Sequence, residues 1–286
     1  MNAERRPRGH VGARRRRDKT MLVLCILAVI VAVVPLLFIL GYTIVKGLPA
    51  LDLRFFMMDQ PPAGASGGGL RNAIVGTLFT LVIALVFGVP TGILAGTFAS
   101  EFGKPKLAES LRFVNDVLAG VPSIVIGLAV YGIVVASMGH YSGLAGGIAL
   151  GMLMIPTVTT TTHEMMKLVP DALREGALAL GAPRWRMITS IVFPSALRGI
   201  LTGIMLAVAR VIGETAPLLF TSFGNTHLTF NITQPMDALP LRIFIFVASP
   251  YNRWQTLAWG GALFLVVIVL ILNIVARLLG RKRARD

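Results

Sequence analysis

The sequence predicts an all-α integral membrane protein with six transmembrane helices. Three observations carry this. The 286 residues are 55% hydrophobic and only 14% charged, whereas a soluble domain averages roughly 25% charged residues. The apolar residues gather into runs, several longer than the ~20 residues that cross a bilayer as a helix. Basic residues flank these runs unevenly, as the positive-inside rule requires.

A basic tail, residues 1–20, precedes the first run at residues 21–45. That run is long and lacks a small-residue cleavage site, so it reads as a retained helix rather than a secretory signal. Cys25, the single cysteine, lies within it, which excludes an intrachain disulfide or a cysteine metal cluster. A polar, Gly-rich loop over 46–71 leads to a second span at 72–100 containing Gly88, Pro90, Gly92 and Gly96. A short charged turn at 101–112 precedes a third span at 113–137 with Pro122, and a tight link at 138–143 precedes a fourth at 144–162 with Pro156. The fifth and sixth spans are placed at 197–223 and 255–279, separated by an external loop over 224–254, and residues 280–286 form a basic C-terminal tail. Small residues at four-residue spacing, Gly143, Gly147 and Gly151, then Gly199 and Gly203, let helices approach closely in lipid.

The formal charge of +14 and the run Arg14 to Arg17 could suit nucleic acid, but no nucleic-acid fold signature accompanies them. Orientation explains them better. With both termini in the cytoplasm, twenty-one of the 27 basic residues fall on that side. Lys46, Arg54, Arg71, Arg242 and Arg253 fall on the other, and only Arg210 sits deep inside a span.

Residues 163–198 carry Glu164, Lys167, Asp171, Arg174, Glu175, Arg184 and Arg186, too many charges for a span. Pro170 and Pro183 are placed to start short helices. Leu173, Ala177 and Leu180 share one helical face, Gly181 permits a sharp turn, and Trp185 offers a large ring on the second helix. The segment therefore reads as a compact docking knob of two short helices. Glu175-Gly176-Ala177, three residues, Gly181, nine residues, Ile191, two residues, Pro194 resembles the cytoplasmic loop of type I ATP-binding-cassette importer permeases. Gly176 and Phe193 depart mildly from that pattern. The resemblance covers residues 72–279 and implies the permease fold, with Glu175, Gly176, Ala177, Gly181, Ile191 and Pro194 coupling the chain to an ATPase subunit. The chain has no Gly-x-x-x-x-Gly-Lys-Ser/Thr phosphate loop, so the motor is expected on another polypeptide. His163-Glu164 is followed by Met165, Met166 and Lys167, which removes the second histidine of a zinc-protease motif. No catalytic residue, cofactor or metal is expected.

The fifth span contains Arg210-Val211-Ile212-Gly213-Glu214-Thr215-Ala216-Pro217. Arg210 and Glu214 lie ~18 to 24 Å along a helix from Arg198, deep in a ~30 Å hydrocarbon core. An isolated arginine there costs about 2.5–3.5 kcal/mol, and Glu214, four residues on, is expected to pair with it on the same face. Pro217 frees the Gly213 carbonyl, so the helix can flex beside the pair. A purely structural ion pair is the alternative. Arg-x-x-Gly-Glu-Thr-Ala-Pro, with Gly120-Val121-Pro122-Ser123-Ile124-Val125 in the third span, resembles the bacterial phosphate-specific permeases. The overall pattern, including the stretch from Gln234 to Leu241, is more similar to their A type than to their C type. This resemblance implies a phosphate path through Arg210, Glu214, Thr215 and Pro217, in the inner membrane of a bacterium. It implies as partners a PstC-like permease, two copies of a PstB-like ATPase and a PstS-like phosphate-binding protein. The rival functions are an importer of another oxyanion and a self-sufficient secondary carrier. Absence of an obvious repeat between the halves weakens the carrier, and the docking motif opposes it.

Overall fold

The computed structural model describes residues 9–102 and 105–281. Residues 1–8 of the basic N-terminal tail and 282–286 of the C-terminal tail lie outside the described residues, as do the side chains of Arg14, Arg15 and Arg16. The chain divides into two units, residues 1–46 and 47–286.

The first unit is almost entirely α1 (Gly9–Gly47). Its apolar window presents no buried face, and a helix hydrophobic all round is suited to lipid rather than to a half-wet protein surface.

The second unit begins with a 3-10 turn, Leu48–Ala50, and the short helix α2 (Leu53–Met57). Asp52 caps α2 by accepting from the Phe55 amide at 2.8 Å. α3 (Arg71–Thr97) widens into a π turn, Phe98–Phe102. α4 (Pro105–Gly120) is followed by α5 (Ser123–Val130), which runs through another π turn, Tyr131–Val135, into the last turn α6 (Ala136–Met138). α7 (Gly143–Lys167) is capped by Ser142, whose hydroxyl accepts from the Ala145 amide. Then come α8 (Asp171–Ala179), α9 (Arg184–Met187), a π turn Ile188–Val192, α10 (Phe193–Val211) and α11 (Ala216–Thr221). α12 (Leu239–Val247) and α13 (Asn252–Arg281) complete the fold.

Five helical stretches among the described residues are long and apolar enough to cross a membrane, and the pair Lys106–Gly120 and Ser123–Met138, bent by 101° at its break, makes six when counted as one span. α3 and α7 form the packed centre. A Cβ on Gly88 would lie 2.7 Å from the Gly151 carbonyl oxygen, so the two helices touch backbone to backbone, as their small-residue spacing predicts. Ala84, Leu150, Met154 and Val158 fill this seam, and Ala207, Val208 and Leu218 close it from α10 and α11. At one end, Phe55, Leu70, Leu239, Phe246 and Leu257 form a second cluster that ties α2, α12 and α13 together.

Several expectations change. The third span is not one helix over 113–137. It starts at Pro105 and breaks at Val121 and Pro122, where a residue before proline is pushed out of the helical region and Pro122 itself is extended at ψ 136°. The charged turn at 101–112 is therefore mostly the start of α4. The fifth span is not continuous over 197–223. Its helix already runs from Arg184 through the π turn to Val211, so the second helix of the expected knob is the base of a span. Pro194 explains the π turn: its ring opposes the carbonyl four residues back, and the wider turn makes room. The expected loop over 224–254 contains α12, with Leu239, Leu241 and Phe246 buried.

Candidate functional site

The break between α4 and α5 stands beside the break between α10 and α11. The α4–α5 break puts Val121, Pro122 and Ser123 against a cavity of about 160 Å³, and the end of α10 brings Arg210 and Glu214 to the same cavity. Leu118 and Ala119 of α4 and Leu153 and Pro156 of α7 complete its wall. The halves beyond the breaks pack together. A Cβ on Gly127 of α5 would lie 2.6 Å from the Pro217 Cα at the start of α11.

Arg210 and Glu214 do not form the expected helical pair. α10 ends at Val211, and Gly213, a poor helix former, falls in the stretch between α10 and α11. Glu214 thus loses the position one turn above Arg210. Among the described residues neither side chain makes an ion pair or a hydrogen bond. The cavity holds one fixed cation and one fixed anion, each free to meet something else. The first amides of α5, Ser123 and Ile124, have no acceptor within their own helix, and that end carries partial positive charge. The wall therefore offers a guanidinium fork and helix-end donors to an anion, with one carboxylate opposing them.

Thr215 and Pro217 stand apart from this cavity. The Thr215 carbonyl accepts from the Leu218 and Leu219 amides at 3.1 and 3.3 Å and so starts α11. Pro217 is buried in the first turn of α11, where a missing N–H costs nothing. It begins a new helix rather than bending an old one. Beyond Arg210 and Glu214, none of the lining residues, Val121, Pro122, Ser123, Leu153 and Pro156 among them, is assigned to the path by the sequence. The Gly-Val-Pro-Ser motif was visible, but its break was not.

At the other candidate site, α8 projects with Glu175 and Gly176 exposed. Gly181 has φ +81°, a left-handed turn that favours glycine. Leu180 and Trp185 at the tip are 91% and 64% exposed. Ala177, expected on the same face as Leu173 and Leu180, instead points inward and is buried with Met187, Ile188, Val192 and Ala196. Ile191 is half-buried and Pro194 exposed. Among this set, Ala177 shapes the base of the knob, while Glu175, Leu180 and Trp185 form its outer surface.

Electrostatic order at the opposite end comes from two polar pairs, one buried and one part-exposed. Asp237 accepts from Arg242 Nε at 2.8 Å and from Asn72 Nδ2 at 2.9 Å. Asp59 accepts from Arg71 Nε at 2.9 Å and from the Leu228 amide at 3.1 Å. Burial alone would push the Asp59 carboxyl up, but Arg71, Leu228 and the charge of His227 outweigh it and hold the group below the usual range.

Residues 88–285 match the family described as binding-protein-dependent transport system inner membrane component. The phosphate transport system permease protein PstA of Yersinia pestis is 48% identical over 271 residues, covering 94% of this chain and 92% of that protein. The protein of the same name from Pasteurella multocida is 47% identical over 94% of this chain and 96% of its own length. Among solved structures, a bacterial alginate ABC transporter with its substrate-bound periplasmic protein superimposes with TM-score 0.69 at 15% identity, over 95% of this chain and 97% of that chain. The inward-facing MetNI methionine ABC transporter gives 0.57 at 16% identity, over 73% and 91%. The structural likenesses carry the fold. The chain therefore belongs to the family of binding-protein-dependent transport system inner membrane components, in its PstA permease branch.

Proposed function

We propose that this chain is one of two permease subunits of an ATP-driven importer of inorganic phosphate. The observation that carries the reading is the cavity where Arg210 and Glu214 stand unpaired beside two helix breaks, in a chain so similar to phosphate transport permeases. Arg210 offers a planar set of donors that fits a tetrahedral oxyanion, and α5 adds its amide end. Glu214 weakens the local field, so the anion passes on instead of staying bound. Irregular backbone at membrane depth is tolerated where it lines such a cavity.

On this reading a PstC-like permease completes the path, a PstB-like ATPase dimer supplies the work and a PstS-like protein delivers phosphate. The α8 knob, with Leu180 and Trp185 at its tip, docks into the ATPase. Both termini and the knob face the cytoplasm, which agrees with the distribution of Lys and Arg. Phosphate uptake into proteoliposomes tests the assignment. Uptake is expected only when this chain, the second permease, the ATPase, the binding protein and ATP are all present. Phosphate flux through this chain alone would refute it.

A further inference from the structure

Arg174 precedes Glu175 in α8, yet its side chain turns inward and is 16% exposed. It is ion-paired with Glu101, which is 5% exposed at the end of α3, and its Nη2 donates to the Met166 carbonyl of α7 at 2.7 Å. Ser100 adds a hydrogen bond to the same glutamate at 3.1 Å, and Asp171 flanks Arg174 at 3.5 Å. Among the described residues, every side-chain hydrogen bond from α8 to α3 or α7 runs through this one guanidinium.

We infer that the Glu101–Arg174 pair is the strut by which the coupling helix moves α3 and α7 as one body. A planar, multiply hydrogen-bonded guanidinium fixes direction as well as distance. α3 and α7 are already joined backbone to backbone at Gly88 and Gly151. α7 also carries Leu153 and Pro156 of the Arg210 cavity, ten and more residues from Met166, or ~15 Å along a helix. A displacement of α8 is thus delivered to the cavity wall. Both residues are positioning residues, for neither lines the Arg210 cavity. The inference rests on the proposal that α8 docks an ATPase.

The test uses the full reconstituted complex and reads ATPase co-purification, ATP hydrolysed and phosphate delivered. The double variant Glu101→Gln with Arg174→Gln keeps shape and removes both charges together. It is expected to retain the ATPase and its hydrolysis while phosphate delivered per ATP falls at least ten-fold. In a Cys25→Ser background, Glu101→Cys with Arg174→Cys should be uncoupled when reduced. Bridging the two thiols with a short bifunctional reagent should restore transport per ATP, because a covalent strut replaces the ionic one. A wild-type ratio in the double glutamine variant would overturn the inference, as would a bridged complex that stays uncoupled. If hydrolysis and delivery fall in proportion, the pair is merely structural and the inference fails. Failure of the phosphate-importer reading looks different: the unmodified complex would not deliver phosphate at all.

Discussion

Gly127 and Pro217 meet at backbone distance, with 2.6 Å between a Cβ built on Gly127 and the Pro217 Cα. This contact holds α5 and α11, the helices beyond the two breaks, together and so sets the spacing of the cavity walls. Gly127→Leu should insert in the membrane but separate α5 from α11. Overpacking of this kind costs about 1–3 kcal/mol. A lower thermal midpoint of the purified complex, together with loss of phosphate uptake, is the expected result.

Arg210→Gln should assemble normally and lose phosphate uptake, because the amide keeps much of the bulk but supplies neither charge nor fork. Since Arg210 and Glu214 form no ion pair in this structure, removing one charge leaves no broken bridge behind. Assembly is measured by co-purification of the partner subunits. Glu214→Gln should slow uptake as well, by leaving the arginine unopposed. Normal uptake by Arg210→Met with Glu214→Leu would remove both residues from the mechanism.

At the knob, Gly181→Val forces a β-branched residue to φ +81°, where an L-residue pays roughly 1–2 kcal/mol. Leu180→Asp leaves the backbone alone and places a charge on the exposed tip. Both variants should insert normally and co-purify with much less ATPase. Undiminished yield of ATPase with Leu180→Asp would displace the tip from the docking surface.

Asp59 predicts an acid limit for the loop end of the protein. Its folded carboxyl lies below its ordinary value, so its stabilising effect is full above the unfolded value of about 3.9 and is lost as pH falls through the folded value. Asp59→Asn should lower thermal stability at neutral pH, and the gap from the unmodified protein should close on the acid side. A gap that widens below pH 4 would contradict the assigned pairing with Arg71 and Leu228.

The sequence by itself determined the membrane class, the uneven distribution of Lys and Arg, the glycine spacing within the second and fourth spans, and the presence of both motifs. Each of these depends on composition or on short-range spacing: a bilayer demands apolar length, and Gly147 and Gly151 align on one helical face whatever lies opposite. Only the tertiary structure decided that Arg210 and Glu214 stand apart. A periodic apolar run continues equally well through an intact or a broken helix, and α5 and α11 beyond the breaks meet through Gly127 and Pro217, far apart in the chain. Glu101 and Arg174 were hidden for the same reason. Each reads alone as a solvated charge near a span end, and their burial arises when α3, α7 and α8 converge around the pair.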